Sequence, residues 1–178
     1  MSGSGGSGGY EYQHNAIGYV AAHILAGETL GWLETGAPDI PVAVAAETGG
    51  PGDDLCVTLQ NDVLVELQAK HGLQKSKLFE PLLKLAKGLH EDSNLYGVLL
   101  TDSTASQTIR DHLRNDLIKI GQGRFDSLKP ITREFQDQLV KANLPKDNSD
   151  IFRRLRIVVL DLQDDLQGAG MRRAHPLR

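Results

Sequence analysis

The sequence predicts an α/β protein built on a mixed central sheet with helices packed against it. Three observations carry that expectation. A hairpin is written between residues 54 and 70, as two short apolar runs around Gln60-Asn61-Asp62. Two further runs, LYGVLL at 95–100 and LRIVVL at 155–160, are continuously apolar, as in strands buried on both faces. Around them lie segments with the 3.6-residue apolar period of helices.

Residues 1–9 are rich in Gly and Ser. They lack the basic and apolar regions of a signal peptide and predict a flexible lead-in. Residues 12–33 predict a helix, because Ile17, Val20, Ala21, Ile24 and Leu25 follow the i, i+3, i+4, i+7, i+8 rule. Gly36 and Pro38 are expected to end it. Residues 41–47 (PVAVAAE) have strand character, and Thr48-Gly49-Gly50-Pro51-Gly52 reads as a loop. Strands follow at 54–59 and 63–70. The next helix, 76–89, shows Leu78, Leu82, Leu85 and Ala86 on one face. The strand at 95–100, amphipathic helices at 106–120 and 130–142, and the strand at 155–160 complete the order α-β-β-β-α-β-α-α-β. Residues 10–165 are expected to form one domain. Residues 166–178 have no periodic pattern and predict a tail, or a linker to a further domain.

The formal net charge of -4 makes a strongly basic nucleic-acid binder an unsuitable description. Any nucleic-acid affinity has to come from a local patch, a metal or a partner domain. Cys56 stands alone, so no intrachain disulfide can form, which fits a cytoplasmic location. No apolar run approaches the ~20 residues of a membrane span.

The hairpin is the most informative stretch. Alternate residues of a strand share a face. Val63, Val65, Leu67 and Ala69 therefore point one way, and Leu64, Glu66, Gln68 and Lys70 the other. Pairing Leu55, Val57 and Leu59 with Leu67, Val65 and Val63 buries all six on one side, and a one-residue slip would undo this. The same register sets Asp54 opposite Gln68 and Cys56 opposite Glu66, with opposed Cβ atoms roughly 5 Å apart. Hydrophobic packing thus gathers a carboxylate, a carboxamide and an ammonium beside a glycine-rich loop.

Asp54 and the Gln68 side-chain oxygen suit a hard cation, Mg²⁺ or in its place Mn²⁺, that keeps several waters. Lys70 beside it would position a water or stabilise charge on phosphoryl oxygens. Glu47 and Glu66 are both candidates for a further acidic ligand, Glu66 also for a supporting group. Gln13 shares the inward face of the first helix and needs a partner, which the site could provide.

Asp54 followed by Gln68-Ala69-Lys70 resembles the Asp…(Asp/Glu)-x-Lys signature of restriction-endonuclease-like nucleases, in the Gln-x-Lys variant of Mrr-type enzymes. Gly9-Tyr10-Glu11-Tyr12-Gln13 is similar to the helix opening of the double-strand DNA endonuclease effectors of bacterial anti-phage signalling systems. The same domain is found fused to STAND-type NTPases. The resemblance covers residues 9–100 and continues more loosely to 160. It implies an αβββαβ nuclease core, a divalent metal, double-stranded DNA as substrate and a role in defence. It also implies a sensor or NTPase domain in the same polypeptide, or a homo-oligomer, as partner. Gln68 departs from the commoner pattern by replacing an acidic ligand. A catalytically silent fold that binds nucleic acid or oligomerises is the alternative.

Between Lys70 and Gly88 five lysines stand against the single Glu80. Lys75 and Lys77 among them are candidates for DNA phosphate contact, and Gln13 on the first helix is a further candidate for DNA binding. Arg153, Arg154 and Arg156 form a second basic cluster; for both clusters the plainer expectation is a solvated face. Cys56 reads as a small core residue rather than a nucleophile. The histidines His14, His23, His71, His90, His112 and His175 show no metal-ligand spacing. No P-loop and no G-x-S-x-G occurs.

Overall fold

The computed structural model describes residues 7–33, 39–47 and 49–162. It contains a five-stranded mixed sheet in the order β1-β2-β3-β4-β5. These are β1 (Pro41–Ala46), β2 (Leu55–Leu59), β3 (Leu64–Ala69), β4 (Leu95–Thr101) and β5 (Leu155–Val159). The first three run antiparallel, and β3, β4 and β5 are parallel. The hairpin register is the one hydrophobic patterning predicts: Leu55 pairs with Leu67, Cys56 with Glu66 and Val57 with Val65.

Two cores cover the two faces. Helix α1 (Ser7–Ala26) packs Tyr12, Ala16 and Val20 onto Leu55, Val57, Leu59, Val65, Leu67, Ala69, Val98 and Leu100. The other face carries α2 (Phe79–Glu91), α3 (Arg114–Gly121), α4 (Pro130–Lys141) and α5 (Ser149–Arg154). There Leu82, Leu85, Leu117, Phe135 and Phe152 pack with Leu99, Leu155 and Ile157. Among the described residues no helix is long and apolar enough to cross a membrane.

The helix boundaries differ from the sequence expectation in instructive ways. Helix α1 ends at Ala26, not near residue 33. Gly27 takes φ +65°, its N–H bonds the Ile24 carbonyl, and the Glu28 N–H bonds the His23 carbonyl. That is a Schellman stop, for which glycine is suited because it has no Cβ to strain the left-handed turn. Leu25, expected on the buried face, is 90% exposed. Beyond the stop, Leu30 and Trp32 fold back into the α1 core, where Trp32 stacks on Tyr19. Buried Asp39 fixes this return by accepting the Gly31, Trp32 and Leu33 N–H groups. At its other end α1 begins at Ser7, inside the stretch expected to be a flexible lead-in. Residues 1–6, Gly36, Pro38, Thr48 and the tail 166–178 lie outside the described residues.

The helix expected at 106–120 opens as a π-helical turn, Thr108–Leu113, and continues as α3. Helix α5 was not expected; Asn148 caps it by accepting the Asp150 and Ile151 N–H groups. Helix α4 starts with Pro130 at its first position, where the missing N–H costs nothing. Its cap comes from α3: Asp116, 1% exposed, accepts the Lys129 N–H and the Thr132 hydroxyl at 2.7 Å each.

The second basic cluster divides: Arg153 is exposed, as a solvated face requires, and the other two are not. Arg154 and Arg156 are buried. Arg154 donates to the carbonyls of Leu89, Asp92 and Leu95 and to the Asp150 carboxylate, closing the end of α2. Arg156 donates to the Phe152 and Leu155 carbonyls. Backbone carbonyls at helix ends lack partners, and a guanidinium with five donors satisfies several at once.

Candidate active site

An open cleft of about 760 Å³ lies where β2 enters the sheet and β3 leaves it. Asp53, Asp54, Gln68, Lys70, His71, Lys77 and Lys84 line it, with Gln13 from α1.

Asp54 is held from several sides. Its Oδ2 accepts the Ala69 N–H at 2.8 Å and the Lys70 Nζ at 2.8 Å. Its backbone carbonyl accepts Gln13 Nε2 at 3.2 Å and the Glu47 N–H at 3.1 Å. Gln13 thus finds its partner at the site, as its inward place on the helix demanded. Gln68 is 3% exposed on β3, next to Leu99 of β4. The sequence-predicted carboxylate, carboxamide and ammonium therefore share one cleft.

The two glutamates do not join them. Glu47 sits at φ +51° after β1, with its side chain in solvent and only its N–H serving Asp54. Glu66 is buried under the glycine-rich loop, where its Oε2 accepts the Gly52 N–H at 3.0 Å. A Cβ at Gly50 would stand 2.5 Å from Glu66 Oε1, and one at Gly52 2.5 Å from the Leu67 nitrogen. Only glycine lets the loop come this close, so Glu66 acts as the loop's anchor. Cys56 lies opposite it; burial, then the charge and hydrogen bond of Glu66, push the thiol up to about 11. That is a protonated thiol, partly buried beside the core rather than in it, and poorly suited to act as a nucleophile.

The lysines divide. Lys70, Lys77 and Lys84 line the cleft, Lys84 bonding Asp53 at 3.2 Å. Lys75 instead pairs with Glu134 of α4 at 2.7 Å and lies outside the lining. Lys87 lies 4.0 Å from Glu91.

The sequence reading missed a second constellation. His71 follows Lys70, lines the cleft and bonds Asp102 through Nδ1. Asp102 is 5% exposed and also accepts the Gly72 N–H at 3.1 Å and the Thr104 N–H at 2.9 Å. Burial pushes this carboxylate up, but the Thr104 and Gly72 hydrogen bonds and the nearby His71 outweigh that and hold it below the usual range. The Tyr12 ring lies 6.0 Å from that of His71, tilted by 43°, and its hydroxyl donates to the Leu160 carbonyl. Burial, then Asp102 and Asp161, raise the Tyr12 hydroxyl, keeping it protonated. The parallel register of β3 and β4 was the available signal. Ala69 lies beside Leu100, which carries on to place residue 71 near residue 102. Sites in α/β sheets gather at such carboxyl ends of parallel strands.

Compared with family models, curated proteins and solved structures, the chain matches none. What the fold and cleft define by themselves is a mixed α/β protein with a polar, lysine-rimmed cleft at the strand ends. Among the described residues no group of three or more His, Cys, Asp or Glu side chains is placed to hold a metal. Asp54 and Gln68 supply two oxygen donors on one cleft. That donor set fits a cation that keeps most of its own water and not one that needs a protein cage.

Proposed function

We propose that this chain is a metal-dependent endonuclease with a restriction-endonuclease-like core, hydrolysing phosphodiester bonds of double-stranded DNA. The observation that carries the reading is Asp54, bonded at once by the Ala69 N–H and the Lys70 ammonium, in one cleft with Gln68. Asp54 and the Gln68 oxygen would hold Mg²⁺ or Mn²⁺, which when bound polarises the phosphodiester and acidifies a water. Lys70 presents a fixed positive charge to the phosphoryl oxygens. Lys77 and Lys84 on the rim attract the DNA backbone. The resemblance stated above adds a role as the effector module of an anti-phage defence system, held by a sensor or NTPase domain or by self-association. With a formal net charge of -4, multivalency would add to the effective concentration on DNA.

The test is cutting of supercoiled plasmid with Mg²⁺, with Mn²⁺ and with EDTA, on protein shown to be folded by circular dichroism. Asp54→Ala should abolish cutting and cation binding. Lys70→Ala should keep the fold and lose about a hundredfold in rate, the usual worth of one pre-organised charge contact. Undiminished cutting by Lys70→Ala would remove the active site from this cleft. A folded chain that binds DNA and never cuts it would be the silent module instead.

A further inference from the structure

We propose that His71 accepts the proton of the attacking water in this cleft, with Asp102 fixing the ring in the tautomer this requires. The inference rests on the hydrolytic reading above. Four of the other residues that line the cleft are unsuited to this task; Glu80, an exposed carboxylate in the first turn of α2, lines it as well. The Lys70 ammonium is bonded to Asp54 and has three donors and no acceptor, so it takes up no proton. The Gln68 carboxamide is not basic. Asp54 already receives two donors on Oδ2. Asp53 is tied to Lys84.

His71 is differently placed. Asp102 is acceptor-only when ionised, and the N–H groups of Gly72 and Thr104 aim at it. The ring nitrogen facing this carboxylate, Nδ1, therefore carries the hydrogen. In a neutral imidazole that leaves the lone pair on Nε2. The ring is half exposed while its partner is buried, so one side of it is clamped and the other is open to the cleft. The backbone around it is pinned as well: the Lys70 N–H bonds the Leu100 carbonyl at 2.9 Å, and the Thr101 hydroxyl bonds the Lys70 carbonyl at 2.8 Å. If Asp102 served merely to close the turn at residues 70–72, the Gly72 and Thr104 bonds would suffice. Nothing in that role requires the ring.

The step balances without a further reactant. The water's oxygen forms the bond to phosphorus as Nε2 removes one of its protons. The phosphorus–oxygen bond to the leaving alcohol breaks, and its electrons stay on that oxygen, which takes a proton from solvent. The imidazolium returns its proton to solvent. Lys70 then stabilises charge and does not activate the water, which divides two roles between neighbouring residues.

The first test does not involve activity. An imidazole ¹⁵N–¹H spectrum of the full chain, taken above neutral pH, should show His71 protonated at Nδ1 and bare at Nε2. Asp102→Asn presents an amide donor and should reverse that tautomer. The second test uses plasmid cutting. His71→Ala, at a half-exposed position, should stay folded and lose about a hundredfold or more in rate. Added imidazole should restore part of that loss, and should restore none of the loss in Lys70→Ala. An Nε2–H tautomer in the wild-type chain, or full-rate cutting by His71→Ala, would overturn the inference. If the wild type cuts, Lys70→Ala does not and His71→Ala does, the nuclease reading stands and this one falls. A wild type that never cuts removes both.

Discussion

Gly52→Ala is a one-methyl change that should damage both the fold and the site. The new Cβ would stand 2.5 Å from the Leu67 backbone nitrogen and 2.6 Å from Glu66 Oε2. The glutamate tip can give way, but the Leu67 nitrogen belongs to the sheet and cannot. The loop must lift by roughly an ångström to regain ordinary contact, at a cost of about 1–3 kcal/mol for overpacking. Lifting it also breaks the Gly52 N–H bond to Glu66, which leaves a buried carboxylate short of a partner. That adds about 1–3 kcal/mol. The combined 2–6 kcal/mol is a large share of the 5–15 kcal/mol typical of a whole domain. Asp54 follows two residues on, its N–H bonded to the Gly52 carbonyl at 2.6 Å, so the displacement reaches the carboxylate. Urea unfolding followed by circular dichroism gives the stability loss, and plasmid cutting under native conditions gives the functional one. Gly49→Asn is the control. That position has open space and φ +66°, which asparagine tolerates, so the loss there should stay within about 1 kcal/mol. Glu66→Ala should not rescue Gly52→Ala, since the Leu67 nitrogen remains. Equal stability for Gly52→Ala and the wild type would show that the loop does not need this close approach.

Asp116 should make the fold acid-sensitive. Burial pushes its carboxyl up, but the Lys129 N–H, the Thr132 hydroxyl and Lys119 together hold it below the usual range. A depressed folded pKa stabilises above the unfolded value of about 3.9 and is lost as pH falls through the folded one. The urea midpoint should therefore drop below about pH 4, and Asp116→Asn should flatten that limb; an unchanged limb would assign the acid sensitivity elsewhere. Arg154→Leu should destabilise by about 3–5 kcal/mol, by stripping partners from the α2 carbonyls and Asp150, without altering the salt dependence of DNA retention. A changed salt slope in a stable variant would place Arg154 at the nucleic acid. Cys56 should alkylate slowly near neutral pH, with a rate still climbing toward pH about 11; a plateau near pH 8 would contradict its protonated state.

The hairpin was legible because its side-chain period is 2. Leu55, Val57 and Leu59 can meet Val65 and Leu67 in one register alone, and that register delivers Asp54, Gln68 and Lys70 together. The end of α1 was misread because Leu30, Trp32 and Leu33 continue an apolar pattern past Gly27. Those residues do enter the same core, but by a reversed chain. His71 and Asp102 stayed hidden because 31 residues separate them and the link is a parallel pairing that no local period announces. The roles of Glu66 and Arg154 were hidden for a related reason. Each charge satisfies backbone groups of distant segments, Gly52 for one and the end of α2 for the other. Charge content alone reads such residues as surface or ligand, whereas their burial makes them structural.

The pairing of Lys70 with Asp54 sets up an opposition that can be measured. The ammonium stands 2.8 Å from Oδ2, on the carboxylate proposed to hold the cation. Two unit charges ~4 Å apart in an effective dielectric of ~20 interact by about 4 kcal/mol. The Lys70 side chain is 38% exposed, so solvent screening and its flexible stem reduce this repulsion severalfold. The sign survives the reduction. Removing the ammonium frees the carboxylate, so Lys70→Ala should bind Mn²⁺ a few-fold tighter while cutting DNA more slowly. Titration calorimetry at low salt measures the first quantity and plasmid cutting the second. Asp54→Asn should weaken both together. A lysine that served merely as a structural ion pair would, when removed, tighten cation binding and leave cutting unchanged. A lysine that organised the carboxylate for the cation would, when removed, weaken binding and cutting alike. Tighter binding combined with slower cutting is expected from neither of these, and follows if Lys70 yields Asp54 to the cation and turns its charge to the phosphate.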